Sequence, residues 1–336
     1  MLKIFISLLL IFKISLLFSQ HKNQEQITLV FFNADNLYDT HNDQGTYDDR
    51  FTPEGEMVWN SERFEQKING ISEMLSSING TGLPDIIGLA EIENTRVIQE
   101  ILNTRNFRRS EYEIIHIEGE NNTEAALLIK DGLLDVTESR IITPDERMTD
   151  DNDNSTILYV KGNLNGEAIH FFINRWPGRT GGVESSEFKR IGSAVAVRKE
   201  IDNILNFEKD ARIIVMGSFN DEPSNRSLML MLNATNKRKN ISYRDLFNLF
   251  YDKHNIGDEG TVLVNGIWQM YDQIIVSPSF LKPGSNIMLG FESGRIYRDF
   301  QVNESSRFNG TYRGNEYTGG ISSHLPVYMM LISSGK

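Results

Sequence analysis

From residue 27 onward, short apolar runs alternate with amphipathic stretches, and many of the runs break off at a polar residue. "ITLVFFNADN" is β-branched and aromatic up to Asn33, which predicts a buried strand with a polar exit. "PDIIGLAEIEN" repeats the pattern and exits at Glu91. "EAALLIK" begins on Glu124, "STILYVKG" follows, and "EAIHFFINRW" leaves at Asn174 and Arg175. "RIIVMGSFNDEP" ends on Ser218, Asn220 and Asp221, "MYDQIIVSP" starts beside Asp272, and "GGISSHLPVYMMLI" enters its last strand through Ser322, Ser323 and His324. One polar exit is usually a turn residue. Seven in one chain predict an assembled site at the strand ends.

Two stretches carry helical spacing instead. In "SERFEQKINGISEMLSSI", Phe64, Ile68, Ile71, Leu75 and Ile78 recur every three or four residues, with Ser61 as the expected N-cap. In "ESSEFKRIGSAVAVRKEIDNIL" the expected buried stripe is Phe188, Ile191, Val195, Ile201 and Leu205. A short helix is expected after Pro223. Segments 40–60 and 145–155 read as long loops, the second acidic enough that its "DDND" at 150–153 suggests a surface Ca²⁺ or a solvated turn. Strands outnumber helices and come both in consecutive pairs and separated by helices. That predicts an α/β fold with a mixed pair of sheets and outer helices.

The 336 residues suffice for one large core or two domains. The first twenty, "MLKIFISLLLIFKISLLFSQ", read as a secretory signal cleaved near Ser19 or Gln20, because Lys13 shortens the apolar run below a full membrane span. The expected mature protein is therefore exported, to the periplasm or beyond, with no membrane span. It is also expected to be a monomer. With no cysteine, disulfides, thiolate metal sites and thiol nucleophiles are excluded. The formal charge is −12, and removing Lys3 and Lys13 lowers it by two more. Such a field opposes polyanions, so a nucleic-acid partner would need a local basic patch. Arg105/Arg108/Arg109 and Lys237/Arg238/Lys239 are the candidates, and solvated helix ends are the simpler reading of both.

"FNADNLYD", "LAEIEN", "NRWPGRTGG", "GSFNDEP", "YDQIIVS" and "SSHLPV" together resemble the ordered signatures of the endonuclease/exonuclease/phosphatase superfamily, nearest its secreted bacterial branch related to deoxyribonuclease I. The resemblance implies a four-layer α/β/β/α sandwich forming one domain over 27–336. It implies hydrolysis of phosphodiesters or phosphomonoesters with Mg²⁺, or with Mn²⁺ or Ca²⁺ in its place. By the same resemblance Glu91 and Asn33 are metal ligands, Asn33, Asn174 and Arg175 face the phosphate, and Asn220 orients phosphate or water. Asp272 and His324 match a catalytic carboxylate–imidazole pair, and Glu124 matches the acidic partner of a second histidine.

Three positions depart from that pattern: Arg175 stands where the family has histidine, and Ser218 and Ser323 stand where it has aspartate. Guanidinium is no proton carrier at neutral pH, and a lost acid or base typically costs about 10²–10⁴ in rate. Arg175 is free to pair with Glu124 or to fork onto a phosphate, and Asp221 is a candidate substitute carboxylate. Two readings follow. One is a phosphoester hydrolase with impaired activity; the other is a non-catalytic protein that binds a phosphate-bearing or other anionic ligand.

Overall fold

A computed structural model describes residues 24–43, 48–78, 80, 82–118, 123–149, 155–291, 293–298 and 310–334. The proposed signal and the 150–153 stretch lie outside these. The chain opens with β1 (Gln24–Leu37), helix α1 (Ser61–Ser77), β2 (Ile86–Ile92), helix α2 (Thr95–Asn103), β3 (Tyr112–His116) and β4 (Glu124–Lys130). It continues with β5 (Asp135–Ile141), β6 (Thr156–Leu164), β7 (Glu167–Arg175), the long helix α3 (Val183–Phe207) and β8 (Arg212–Ser218). Short pieces come next: β9 (Ala234–Thr235), β10 (Leu246–Asn248), helix α4 (Tyr251–Asn255), and the hairpin β11 (Val262–Val264) and β12 (Ile267–Gln269). The last part holds β13 (Asp272–Val276), β14 (Ile287–Leu289), β15 (Arg295–Ile296), the hairpin β16 (Tyr312–Arg313) and β17 (Glu316–Tyr317), and β18 (Val327–Ser334).

Two seven-stranded mixed sheets form the centre. One runs β14-β18-β1-β2-β4-β3 with β15 on β18; the other runs β5-β6-β7-β8-β13-β10-β9. The strands alternate with period two, so each sheet has two apolar faces. Phe31, Leu127, Phe171, Met216, Ile274 and Met329 interleave between the sheets. On the outer face of the first sheet, Ile68, Ile71, Val97 and Ile101 of α1 and α2 cover Phe32, Leu89 and Leu128. On the outer face of the second, Val197, Ile201 and Leu205 of α3 cover Phe172, Val215 and Ile275. The layer order is α/β/β/α, as expected.

Three local expectations are corrected. The cap of α1 is Asn60, whose side chain accepts from the Arg63 amide, so Ser61 is the first helical residue. The segment after Pro223 forms a five-residue π-helical turn, Ser227–Met231, rather than an ordinary helix. On α3 the buried face includes Ser186, Arg190, Ser193, Ala194 and Val197, while Phe188 and Val195 are exposed. The reason is Arg190, whose side chain is fully buried with Nε 2.7 Å from Asp221 Oδ1. That ion pair and the small serines set the rotation of the helix. No helix of the described residues is long and apolar enough to cross a membrane.

Candidate active site

β1 and β2 are parallel neighbours, and both lose regular register at the same end, between Asn33 and Leu37 and between Ala90 and Ile92. The backbone turns left-handed at Asp35, Asn36 and Glu91, with φ of 52°, 57° and 61°. Asn220, beyond β8, does the same at 51°. A non-glycine residue pays for this conformation, so its recurrence at converging strand ends marks backbone bent to aim side chains. The exits of β1, β2 and β8 are bent in this way, and those of β7, β13 and the His324 segment meet them at the same edge.

Glu91 is the anionic centre of that edge. Asn33 Nδ2 donates to its Oε1 at 3.1 Å and the Asn36 amide donates to its Oε2 at 3.0 Å. Arg175 Nε lies 3.5 Å from the same Oε1, both side chains being largely buried. Burial pushes the Glu91 carboxyl up, but Arg175, His324 and the two hydrogen bonds outweigh it and hold the group below its usual range. Arg175 therefore pairs with Glu91, while Glu124, the partner the sequence suggested for it, lies against His116. Lys67 of α1, also buried, donates from Nζ to the Asp35 carbonyl at 2.7 Å and so secures the left-handed turn that presents the Asn36 amide.

The second sheet contributes a row across three strands. Arg175 of β7 is in register with Ser218 of β8, and Ser218 is in register with Asp272 of β13. Gly217 lets β8 pass close to β7, since a Cβ there would lie 2.4 Å from the Asn174 carbonyl oxygen. Asp272 Oδ2 is 2.8 Å from His324 Nδ1. Burial works against a charged imidazole, yet Asp272, with Glu91 and Asp35 behind it, raises His324 to about 9, so it is protonated at neutral pH. The His324 segment is fixed over β1: Ser322 donates to the Asn33 carbonyl at 2.8 Å, and the Ser323 amide donates to Asp35 Oδ2 at 3.1 Å. Ser218 Oγ and Asp272 Oδ1 are buried with no hydrogen-bond partner among the described residues. A hydroxyl and a carboxylate oxygen in adjacent register suit a water that can donate to them, beside the guanidinium and the imidazolium.

Three expected residues are placed elsewhere. Glu124 Oε2 sits 3.3 Å from His116 Nε2, and both side chains are buried. Glu124 shares a face of β4 with Ala126 and Leu128, which belong to the layer beneath α1 and α2. Thr95 at the start of α2 touches His116 Nδ1 at 3.3 Å. The carboxylate has its histidine, from β3 rather than from position 175. Asn174 is fully buried; it donates to the carbonyls of Phe172 and Met216 and accepts from Trp176 Nε1, so no atom remains for a phosphate. Asp221 is held by Arg190, by Arg179 at 3.3 Å and by the Ser227 hydroxyl at 2.6 Å, so it cannot replace the missing carboxylate. Asn220 lies at the rim, its amide donating to the Trp176 carbonyl at 2.8 Å.

A resident divalent cation needs one or two carboxylates not already neutralised by another cation, with water or substrate oxygens completing its shell. Both Glu91 oxygens accept from donors, Asn33 Oδ1 accepts from the Asp35 amide, and position 218 offers only a hydroxyl. With Arg175 against Glu91, these residues do not fit a tightly held Mg²⁺, Mn²⁺ or Ca²⁺. Among the described residues, Asp43, Asp48 and Glu93 bring carboxylate oxygens within 4.8 Å of one another. Glu93 is pushed up to about 8, first by burial and then by the charges of Asp39, Asp48 and Asp43, despite the Asp39 amide bond that lowers it.

A profile of the endonuclease/exonuclease/phosphatase family matches residues 28–333. No curated protein matches significantly. Similar folds occur in D. rerio TDP2 complexed with a single-strand DNA product (11% identity, TM-score 0.55, covering 91% of this chain and 99% of that one). The human Nocturnin catalytic domain with bound sulfate is similar at 15% identity and TM-score 0.54, covering 92% and 97%. A mannosyl-6-phosphatase from Bacteroides thetaiotaomicron VPI-5482 is similar at 15% and 0.54, covering 91% and 99%. At such identities the likeness establishes the fold alone. The profile, matching nearly all of the described chain and the motifs that build the strand-end edge, establishes more: this chain belongs to the endonuclease/exonuclease/phosphatase family.

Proposed function

We propose that the strand-end edge binds a phosphoester and hydrolyses it only weakly, with Arg175 supplying positive charge that a divalent metal generally supplies in this family. The carrying observation is the Arg175–Glu91 pair at 3.5 Å. A guanidinium on the central carboxylate lowers the affinity for a cation and leaves a site that suits an anion. His324, protonated at neutral pH and steadied by Asp272, is the group able to donate a proton to the leaving oxygen as the P–O bond breaks. Ser218, in register between Arg175 and Asp272, cannot take the proton of the attacking water as a carboxylate does. Losing that step lowers the rate by about 10²–10⁴. The same serine favours the second reading, a non-catalytic anion-binding protein. The leader at residues 1–20 supports export, to be checked by N-terminal sequencing of the secreted chain.

The test uses bis-p-nitrophenyl phosphate and p-nitrophenyl phosphate with Mg²⁺, Mn²⁺ or Ca²⁺. The wild type should turn over at least about 100-fold more slowly than the triple variant Arg175→His, Ser218→Asp, Ser323→Asp, the lower end of the loss expected from a missing proton-transfer group. Residual wild-type turnover should vanish in His324→Ala. Wild-type hydrolysis equal to that of the triple variant overturns the proposal, and inorganic phosphate with an inert wild type selects the non-catalytic reading if phosphate still binds.

A further inference from the structure

A cavity of about 260 Å³ opens beside Asp35 and Asn36. Those two residues also touch the strand-end edge, through the Ser323 amide and through Glu91. The remaining wall comes from the segment 40–60, expected from the sequence as a loop, and from the β16–β17 hairpin. Phe51, Trp59 and Tyr312 form its aromatic lining, and Arg50 stands at the exposed rim, tied to Glu56 at 2.7 Å and to Asn315 at 3.2 Å.

The rings are arranged as a cup. One face of Phe51 is covered by Tyr38, stacked at 4.3 Å. Phe51 meets Tyr312 nearly edge-on, at 78°, and Trp59 meets Tyr312 at 57°. Tyr312 is thus inclined to both of the other lining rings, and the stacking face of Phe51 on the Tyr38 side is already taken. The rings are held in place: the Tyr312 hydroxyl donates to the Met57 carbonyl at 2.8 Å and Trp59 Nε1 donates to the Tyr38 carbonyl at 3.0 Å.

The polar groups are few and convergent. Thr311 is 4% exposed, and its hydroxyl has no hydrogen-bond partner among the described residues. It lines the cavity together with Asp35 and Asn36. A buried hydroxyl without a partner is costly, which points to a ligand atom or water as its complement. An acidic residue, an asparagine and a hydroxyl over an aromatic floor match a ring that carries several hydroxyls and has one apolar face. The carboxylate disfavours a second phosphate in the cavity.

We propose that this cavity is the subsite for the alcohol part of the substrate, and that this part is a compact cyclic polyol: the ligand is a monosaccharide monophosphate. The proposal rests on the phosphoester reading of the adjoining edge, since the phosphate would lie at Arg175 and His324 while the ring fills the cup. The experiment is calorimetric titration of the full-length mature chain with inorganic phosphate, glucose 6-phosphate, mannose 6-phosphate, adenosine monophosphate and methyl glucoside. At least one hexose phosphate should bind tenfold or more tighter than inorganic phosphate and than adenosine monophosphate. Thr311→Val should remove most of that tenfold advantage and leave the affinity for inorganic phosphate unchanged. Arg50→Gln, a change at the exposed rim that keeps the fold safe, should reduce the advantage at least threefold. Tighter binding of adenosine monophosphate, or an advantage untouched by both variants, overturns the proposal. Failure of the two readings is separable. If inorganic phosphate does not bind but methyl glucoside does, and Thr311→Val weakens it, the cavity stands and the phosphoester reading falls. If phosphate binds with no gain from the sugar, the reverse holds.

Discussion

Arg175 and Glu91 define the site more than any other pair, and their contact makes a sharp prediction. Arg175→Met leaves a mostly buried carboxylate without its cation, at a cost of about 2 kcal/mol, less than for a fully buried pair. Glu91 lies below its ordinary range in the fold, so its contribution is present at neutral pH and lost as pH falls. Urea midpoints of wild type and variant should therefore begin to approach one another below about pH 4, near the unfolded carboxylate value, and meet only below the lower folded value. An equal gap at pH 7 and pH 3.5 would show that the pair has no electrostatic weight. His324 carries the opposite sign. Its value rises from 6.5 to about 9, so its stabilisation is complete below pH 6.5 and disappears as pH climbs through 9. The stability difference between wild type and His324→Gln should shrink by roughly 3 kcal/mol across that window, at about 1.4 kcal/mol per unit. Both residues were legible, because each stands where an apolar run breaks. His116 and Lys67 were not. They are buried polar residues inside otherwise apolar patterns, and only the partners Glu124 and the Asp35 carbonyl, distant in sequence, reveal why they are there.

Strands and helices were visible in the spacing of apolar residues, but the rotation of α3 was not. The periodicity of Phe188, Ile191 and Val195 suggested one buried stripe, whereas the sheet receives Ser186, Arg190, Ser193 and Val197. An arginine enters a core only when a fixed anion meets it, and Asp221 lies 31 residues further along the chain (221 minus 190). Spacing within one helix carries no trace of that partner. The consequence is measurable by chemical denaturation. Phe188→Ser and Val195→Ser should each change stability by no more than about 0.5 kcal/mol, as surface substitutions do. Ile201→Ala, on the covered face, should cost about 2–5 kcal/mol. Arg190→Met removes the nearer of the two cations on Asp221, leaving Arg179, and should cost about 2 kcal/mol, less than for a charge left wholly unpaired. If Phe188→Ser proves as damaging as Ile201→Ala, the helix packs in the rotation that its apolar spacing suggested. The same ion pair bears on the site, because it keeps Asp221 turned from the edge that Asn220 approaches.

The four-layer arrangement could be anticipated from strands coming both in pairs and between helices, but which strands become neighbours depends on contacts across the chain. Asn33 is bridged to Ser322 over a separation of 289 residues, and β1 lies between β2 and β18. That closure brings the first and last motifs to one edge, so the site exists only in the complete sandwich. Fold alone does not select a ligand, since a similar fold is seen with a DNA strand in D. rerio TDP2. Charge does discriminate. The whole chain carries −12, and the cations gathered at the edge are Arg175, His324 and the buried Lys67. A single phosphate meets this local excess, whereas each further phosphate of a polymer enters the opposing field of the surface. Proteins that bind DNA through many phosphate contacts lose about 10³–10⁵ in affinity between 50 and 200 mM salt. This chain should show no measurable retention of a short duplex or single strand at the higher salt. Affinity for a phosphate monoester should change by less than about tenfold over the same range, as one phosphate contact dictates. Tight, steeply salt-dependent binding of an oligonucleotide would instead place a polyanion groove on this acidic surface. Arg105, Arg108, Arg109 and Lys237–Lys239, all exposed, would be the first residues to neutralise in locating it.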